Sequence, residues 1–551
     1  MLGRRFGLAA LGGLSIVFLA GRVDAPLRIE IVDAATGLPL AATVFLADET
    51  GKPLAPAGQH SKVEYLGRMR YYVDGGFSLA APPRRLTVDV RRGFETLPGA
   101  QTFAVDAGTR RLTVRLRRFI DMGRLGYASG DTHVHYLSLV DSHLQMRAED
   151  MPVLNLLTSD FTHDAEKFTG HLDPVSTNES SVYVGQELRD WQHGHVIFMD
   201  LRRLVEPLGP AGGDFMGESH PHRLLVPALR EARRQNAVTS WAHFENLPGI
   251  ESAIDISLGL IDAVDLITYN DPTGLPAHWA PWKESGFSQA EFTVMRGLDL
   301  YYQYLNAGFR LPIGAGSDKM GDDIPVGCNR FYGRLAGGSG YAGWVAALKA
   351  GRGFITNQPL LFLTVDGHEP GDVIPFTGRR RVTARAEAQS LLPFVNLEIV
   401  VNGTEVATRT TYPWQARAEG GIYRARAEVT LELGESSWIA ARVGNDPDIR
   451  PMPLPRNLGV FAHTNPVYFD RDGRGVSIEA SRLYLMKYVD GATHWFEKRA
   501  RFATESERTE ALAAAAEARR VLASPRLRAL GSAPTPHQSS AARRQADRRP
   551  G

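Results

Sequence analysis

The hydrophobic pattern of this chain changes twice along its length, and the two changes restrict what it can fold into. Apolar and polar residues alternate through residues 26–120, as in LRIEIVD, a pattern typical of half-buried β-strands. From residue 121 segments with helical spacing alternate with apolar strands, and from residue 358 the two-residue period returns. The chain of 551 residues is also too long for one ordinary domain, so a multidomain protein is predicted.

The two alternating regions are predicted to be β-sandwich domains, because turns rich in Gly, Pro and Asp separate their short strands. The first covers residues 26–120 and the second covers residues 358–475. Residues 476–530 include SERTEALAAAAEARRVL, which has high helical propensity, and are predicted to be a C-terminal helical segment. The tail at 531–551 is rich in Ser, Ala, Pro and Arg and is expected to be disordered.

The central region, residues 121–357, is predicted to be an α/β domain. Two of its helical segments end at Gly308 and Gly351, and glycine suits the left-handed position that follows a helix. Repeated helix–strand units favour a parallel sheet, either open or closed into a barrel. In both arrangements polar residues at the carboxyl ends of the strands share one face, which is where chemistry is expected.

Residues 1–25 are predicted to be a signal peptide. Arg4 and Arg5 precede an apolar run over residues 8–20, which is short for a membrane span and has its basic flank at the front. We therefore expect an exported protein, periplasmic or extracellular. An uncleaved N-terminal membrane anchor is the alternative.

Composition excludes several functional classes. A single cysteine, Cys328, can form neither an internal disulfide nor a cysteine-rich zinc site. The formal net charge of +1 provides no field that would attract nucleic acid, so no nucleic-acid partner is expected. The expected partner is a small-molecule substrate, and the sequence does not define an oligomeric state.

Histidines and carboxylates follow many of the predicted central strands. In SGDTHVH the two histidines of a His–x–His pair lie on one face of a strand, where both can bind one metal ion. Imidazole and carboxylate ligands suit zinc, iron or manganese. The residues at predicted strand ends are Asp131, His133, His135, Asp160, His163, Glu187, His193, His195, His243 and Asp318. Four histidines outside this pattern are expected to be structural or surface residues: His222, His278, His368 and His537.

Four of these histidines, one glutamate and one aspartate are enough to hold two divalent metal ions with positions left for water. Two adjacent ions lower the pKa of a shared water towards neutrality and polarise the electrophile that it attacks. A carboxylate such as Glu187 can provide one oxygen to each ion. The pattern therefore predicts a metal-dependent hydrolase that uses a hydroxide activated by a binuclear centre.

The ordered motifs SGDTHVH, GQELRDWQHGHVIFMDL, SWAHFEN and RLPIGAGSD resemble the metal-binding motifs of the PHP (polymerase and histidinol phosphatase) superfamily. Within it they are most similar to the CehA/McbA metallohydrolases, a family named for carbaryl hydrolysis. Flanking segments such as VGCNRFYGR and LEIVVNGTEV are also similar, so the resemblance covers most of the chain. It implies a central PHP-like distorted (β/α)7 barrel between the two β-sandwiches, the first of them carboxypeptidase-regulatory-like.

The resemblance also implies roles for individual residues. Two metal ions would be bound, with a carboxylate shared between them. The implied ligands are His133, His135, Glu187 and Asp318 for one ion, and Glu187, His195 and His243 for the other.

The positions for a third ion differ from the family pattern. Met320 stands where the family often has histidine, and TSDFTH replaces the usual Thr-Asp-His. This favours a binuclear site and leaves Asp160 and His163 as candidate ligands of a third ion. As candidate catalytic residues, His163 would donate a proton to the leaving group, with Asp160 near it, and Lys319 would bind an anionic group. A Lys319 that faces solvent is the alternative.

Two ions suffice for attack on the carbonyl of an ester, amide or carbamate. Phosphatases of the superfamily tend to use three ions together with basic residues that bind the phosphate. Carbonyl hydrolysis is therefore the predicted activity, and PHP-type phosphoester hydrolysis is the first alternative. A non-enzymatic extracytoplasmic binding protein on a PHP scaffold is the second.

Overall fold

The computed structural model describes residues 26–190, 192–208, 221–244, 249–268, 297–337, 340–411, 420–444, 454 and 458–524. The predicted signal peptide (1–25) and the predicted disordered tail (531–551) lie outside the described residues. Within the described ranges, no helix combines the length and the apolar character that crossing a membrane requires.

The alternating residues after position 26 form two β-sheets. Strands β1, β6 and β9 form one sheet in the order β6-β1-β9, and the second has the order β4-β5-β2-β7-β8 with β3 beside β2. The inward side chains of both sheets, among them Ile29, Val44 and Val88, share one apolar core. The strands are β1 (Leu27–Asp33), β2 (Ala41–Ala47), β3 (Pro53–Leu54), β4 (Lys62–Tyr65), β5 (Arg68–Asp74), β6 (Gly76–Leu79), β7 (Arg85–Arg91), β8 (Gly99–Ala104) and β9 (Arg111–Leu116).

The central region contributes nine strands to one large sheet. Most are buried on both faces, as the mainly apolar sequences of strands such as VLNLLT, GHVIFM and AVDLI predict. They are β10 (Tyr127–Val134), β11 (Val153–Thr158), β12 (Ser181–Asp190), β13 (Gly194–Met199), β14 (Val238–Trp241), β15 (Ala263–Ile267), β16 (Ile313–Ala315), β17 (Arg330–Arg334) and β18 (Gly353–Thr356). Their order in the sheet is β16-β15-β14-β13-β12-β11-β10-β17-β18.

Nine C-terminal strands follow. β26, β25, β22 and β23 extend the large sheet beyond β18, β27 pairs with β25 and β20, and β19, β21 and β24 form a separate sheet. The central and C-terminal parts share one core that includes Leu157, Trp438 and Trp495. The strands are β19 (Leu360–Val365), β20 (Val373–Phe376), β21 (Arg380–Ser390), β22 (Asn396–Val401), β23 (Thr404–Thr410), β24 (Tyr423–Leu433), β25 (Ser437–Gly444), β26 (Ala462–Thr464) and β27 (Val467–Arg471).

Seven α-helices lie within the described ranges. The last two pack on each other, and they also contact the third and fourth helices. The helices are α1 (Leu139–Ala148), α2 (Leu225–Arg234), α3 (Ser252–Ser257), α4 (Gly297–Ala307), α5 (Gly340–Lys349), α6 (Glu479–Lys498) and α7 (Glu505–Ala523).

The predicted (β/α)7 barrel is wrong. Fifteen of the described strands form an open, curled sheet that resembles a half-barrel, and the described part of the chain is mainly β. β13 pairs antiparallel with both β12 and β14, and β17 pairs antiparallel with β10, so the strand–helix repeat of a barrel is interrupted. The physical reason lies partly in the short turn between Asp190 and Gly194. A parallel connection needs a dozen or more residues, and this turn permits only a hairpin.

The N-terminal sheets are joined to the central region by a cluster of charges around Asp150. Nη2 of Arg92 lies 2.6 Å from Oδ1 of Asp150, and Nη1 of Arg118 lies 2.7 Å from Oδ2. The same Nη1 lies 2.7 Å from Oε2 of Glu95. Burial alone would raise the pKa of Asp150, but the charges of the two arginines outweigh it and hold the pKa below its ordinary value.

Asp150→Asn is expected to lower the free energy of unfolding by about 3 kcal/mol, because it leaves Arg92 and Arg118 without their shared counter-charge. Asparagine tolerates the φ of 53° at this position, so backbone strain is not introduced. The control is Glu432→Gln, which removes the exposed ion pair with Arg379 and should cost less than about 1 kcal/mol. Urea unfolding followed by circular dichroism measures both, and equal losses would contradict the interpretation.

His463 on β26 is a buried histidine outside the candidate metal centre. Its Nδ1 lies 2.7 Å from the carbonyl oxygen of Thr464, and its Nε2 lies 2.8 Å from the hydroxyl of Tyr302. Burial lowers the pKa of His463 to about 3. The ring is therefore neutral in the folded protein, with Nδ1–H donating to the carbonyl and Tyr302 donating to Nε2.

The unfolded chain protonates a histidine below about pH 6.5, whereas His463 in the folded chain stays neutral down to about pH 3. The stability that His463 provides is therefore complete above pH 6.5 and is lost as the pH falls towards 3. We expect the difference in unfolding free energy between wild type and His463→Gln to shrink by about 1.4 kcal/mol per pH unit in this window. Urea titrations at several pH values test this, with the exposed His171→Gln as control. A pH-independent difference would count against it.

Candidate metal centre

Two histidines at the end of β10 form the first part of the centre. His133 lies near the end of the strand and His135 follows its last residue, so both rings project on the same side. Their Nε2 atoms lie 2.9 Å apart, and Nδ1 of His135 lies 3.0 Å from the carbonyl oxygen of Leu157. Because Nδ1 of His135 donates to that carbonyl, its Nε2 presents a lone pair to the centre, as in metal-binding histidines.

The carboxylate of Glu187, on β12, lies in the middle of the centre. Its Oε1 is 3.6 Å from Nε2 of His133, 3.2 Å from Nδ1 of His195 and 3.6 Å from Nε2 of His243. Its Oε2 is 3.3 Å from Nε2 of His135. One carboxylate therefore faces four imidazoles, which come from β10, from β13 and from the segment after β14.

Asp318 follows β16, the strand at one edge of the curled sheet, and borders the centre from that edge. Its Oδ1 lies 3.4 Å from Nε2 of His133 and 3.8 Å from Nε2 of His135, and its Oδ2 lies 3.9 Å from Nδ1 of His243. Asp318 and His243 both have positive φ, 46° and 52°. Such conformations are costly for residues other than glycine and persist where the surrounding structure enforces them.

The six side chains are buried, and the charge states of Glu187 and His195 suit metal binding. Burial alone would raise the pKa of Glu187, but the charges of Arg189 and His133 outweigh it, and the pKa lies well below its ordinary value. Burial lowers the pKa of His195 to about 4, so this imidazole is neutral at pH 7 and can bind a metal. Neither carboxylate oxygen of Glu187 accepts a hydrogen bond of ordinary geometry from the described residues. None of the six is more than 6% exposed: His133, His135, Glu187, His195, His243 and Asp318.

These residues fit divalent metal ions. The carboxylate of Glu187 is buried among imidazole nitrogens and accepts no hydrogen bond from the described residues. Burying such a negative charge costs free energy unless cations compensate the charge. The structure brings together all six residues that the sequence predicted as ligands. Among these six side chains, three groups have ligand atoms within 4.8 Å of one another and could hold an ion: His133, His135 and Glu187; His133, His243 and Asp318; and Glu187, His195 and His243.

The buried carboxylate of Asp131 supports the ligands without belonging to these groups. Its Oδ1 accepts hydrogen bonds from the backbone N–H of His133 and of Ser317, both at 2.9 Å. Its Oδ2 accepts from the hydroxyl of Ser317 at 2.5 Å and from the backbone N–H of Gly327 at 2.7 Å. Asp131 therefore orients His133 through the backbone N–H of that residue.

Two further residues were missed by the sequence patterns. Nε of Arg189 lies 3.7 Å from Oε2 of Glu187. The sequence feature that could have identified Arg189 is a charged residue two positions after the glutamate on a buried strand, where both side chains share a face. Asp265 on β15 accepts hydrogen bonds from the hydroxyls of Thr132, at 2.6 Å, and Ser240, at 2.9 Å. Its signal was a carboxylate within the otherwise apolar segment AVDLI.

The loop after β11 carries two of the predicted catalytic residues. Asp160 is half-buried and His163 is exposed, and neither belongs to the ligand groups of the described residues. Between them, the ring of Phe161 lies 5.0 Å from the ring of His135, centroid to centroid. The guanidinium carbon of Arg189 lies 4.2 Å from the centroid of the Phe161 ring. An aromatic side chain of this loop therefore borders the centre.

Lys319, the third predicted catalytic residue, is 2% exposed. Its Nζ donates to the carbonyl oxygens of Gly321, at 2.7 Å, and Ile324, at 2.8 Å. Its own carbonyl accepts a hydrogen bond from the backbone N–H of His135 at 2.9 Å. Lys319 therefore stabilises the loop after Asp318 and does not face solvent.

Comparisons with known proteins found no match to this chain. No family model, no curated protein and no solved structure matches the chain. The membership in the CehA/McbA family that the motifs indicate therefore stays a prediction.

Proposed function

We propose that this chain is a metal-dependent hydrolase with a binuclear centre, in which the carboxylate of Glu187 would be a ligand shared by two divalent ions. The observation that carries the proposal is the position of Glu187, whose oxygens lie 3.2 to 3.6 Å from four imidazoles inside a buried cluster. Nitrogen and carboxylate ligands of this kind suit zinc, manganese or iron.

The ligands divide into two sets that share the Glu187 carboxylate. Bound divalent ions would supply Lewis acidity and lower the pKa of a water molecule towards neutrality. For one ion we propose His133, His135 and Glu187, with Asp318, which lies 3.4 Å from His133 and 3.8 Å from His135, as a fourth ligand. For the other ion we propose Glu187, His195 and His243.

The surrounding residues keep these ligands in place. The carbonyl of Leu157 fixes the ring of His135, and Asp131 fixes the backbone of His133. Arg189 lies beside Glu187 and favours its ionised form. These contacts prepare the ligands in the protonation states and directions that metal binding requires, which lowers the cost of ordering them on binding.

We infer an ester, amide or carbamate as the substrate. Phosphate-cleaving sites use basic side chains to bind the oxygens of the phosphoryl group. The ammonium of Lys319, the basic residue that the sequence offered for this purpose, donates instead to backbone carbonyls. Tyr136 is 49% exposed, and its ring lies 5.6 Å from that of Phe161 beside His135. This aromatic border favours a substrate with an apolar group next to the scissile carbonyl.

Glu187→Gln is expected to lower the bound metal by at least about one ion per chain, because an amide nitrogen cannot act as a ligand to the second ion. Hydrolysis should fall by more than about 100-fold. Mass spectrometry of metals in protein purified without chelator, together with assays on a p-nitrophenyl ester, measures both. The matched control is Glu387→Gln, which removes a surface ion pair with Arg426 on another sheet. Unchanged metal content in Glu187→Gln would refute the bridging role.

A substrate panel separates carbonyl hydrolysis from the alternatives. With added zinc or manganese, the wild-type protein should cleave p-nitrophenyl esters and carbamates at least about 100-fold faster than p-nitrophenyl phosphate, since Lys319 is not available to bind phosphate. Release of p-nitrophenol is followed by absorbance. Preferential phosphate cleavage would favour the phosphoesterase, and no cleavage by metal-loaded protein would favour a binding protein.

A further inference from the structure

A second cluster of metal-binding side chains lies at the tip of the hairpin formed by β12 and β13. Asp190 is the last residue of β12, His193 lies in the turn, and His222 precedes α2. Ligand atoms of these three residues all lie within 4.8 Å of one another. None of the three belongs to the binuclear centre.

The carboxylate of Asp190 is fixed by backbone groups from both segments that provide the histidines. Its Oδ1 accepts hydrogen bonds from the backbone N–H of Gln192 and of His193, both at 2.9 Å. The same oxygen lies 3.4 Å from Nδ1 of His222. Its Oδ2 accepts from the backbone N–H of Arg223 at 2.8 Å. The carboxylate therefore has little freedom to turn away from the histidines.

The side chain of His193 is the observation that points to a ligand. It is 0% exposed, and both ring nitrogens are buried without a hydrogen-bond partner among the described residues. Nδ1 lies 3.3 Å from Oε2 of Glu251, which already accepts a hydrogen bond from the backbone N–H of Leu225 at 2.7 Å. An imidazole buried in this way loses its hydrogen bonds to water without replacement, and coordination to a metal would compensate that loss.

The surroundings of the cluster are apolar on one side and open on the other. The rings of Trp495 and Phe496, on α6, lie 5.4 and 5.5 Å from the ring of His193. His222 is partly exposed and lines a cavity of about 600 Å³, which Glu507 on α7 also lines. An ion can therefore reach the cluster from the cavity, while α6 keeps bulk water from the side of His193.

We propose that Asp190, His193 and His222 bind a divalent transition-metal ion at a separate, structural site. Two imidazoles and one carboxylate are a ligand set that zinc accepts, with a water or the carboxylate of Glu251 as a fourth ligand. The ion would connect the hairpin tip to the segment before α2. The site goes beyond the proposed hydrolase centre and shares no ligand with it.

The hairpin geometry gives this site a consequence for the binuclear centre. Glu187 lies three residues before Asp190 on β12, and His195 lies two residues after His193 on β13. Arg189 pairs with His195 across the two strands, and Asp190 pairs with Gly194. An ion at the tip would therefore hold in register the two strands that carry Glu187 and His195. Its role is to position these residues, without contact with the substrate.

The test compares zinc bound by full-length wild type, His222→Gln and the control His171→Gln, an exposed histidine outside both clusters. Each protein is dialysed against zinc and then against buffer, and the bound zinc per chain is measured by mass spectrometry. We expect His222→Gln to bind at least one zinc ion fewer than wild type, and His171→Gln to bind the same number. Equal zinc in His222→Gln and wild type would overturn the proposal.

Anomalous scattering at the zinc edge keeps the test independent of how the variant folds. Crystals of the wild-type protein grown with zinc should show a peak between Asp190, His193 and His222, and the absence of a peak there would overturn the proposal. Wild type and His222→Gln have identical ligands in the binuclear centre, so the difference between their zinc contents does not require that centre to bind metal. A chain in which that centre holds no metal would still show the one-ion difference, so the two proposals can fail separately.

Discussion

The candidate centre depends on one buried carboxylate that is not among its proposed ligands, that of Asp131. It accepts hydrogen bonds from the backbone of His133 on β10 and from Ser317 and Gly327 in the segments around Asp318. β10 and β16 do not pair directly, because five strands lie between them in the order of the sheet. Asp131 thus provides a direct connection across the curl. Together with the hydrogen bond from the backbone N–H of His135 to the carbonyl of Lys319, it fixes the separation of His133 and Asp318, which one of the two proposed ligand sets requires.

Electrostatics explains why such a cluster favours cations. Glu187 and Asp318 bring two carboxylates into a region where burial makes an uncompensated charge costly. Arg189 offsets part of this charge, and His195 is neutral at pH 7 because burial lowers the pKa of its ring. A divalent ion would compensate the remaining negative charge and provide the partners that the Glu187 oxygens lack in the described residues. The same argument would explain why these side chains can be buried so completely, since coordination to a metal would replace their hydration.

The proximity of the six candidate ligands could be predicted from the sequence, whereas the arrangement of the strands could not. His133 and His135 are close because side chains two apart on a strand share a face, which is a local rule that needs no knowledge of the fold. Apolar runs indicate that a strand is buried but do not indicate its direction. The antiparallel strands β12 and β13 therefore show the continuous burial that is typical of parallel strands. Polar groups at the ends of buried strands converge in a closed barrel and also in a curled open sheet, which is why the ligand prediction did not depend on the barrel.

The β12–β13 hairpin shows what the barrel interpretation missed. Antiparallel pairing places Arg189 opposite His195, so Glu187 and His195 are held by a ladder of hydrogen bonds only a few residues long. In a βα unit the same two ligands would be separated by a helix, and small shifts of that helix would change the distance between them. A hairpin also creates a tip, where Asp190 and His193 meet His222, a residue distant in the chain. No periodic pattern links His222 to that tip, because the contact arises only after the hairpin has formed and the segment before α2 has packed against it.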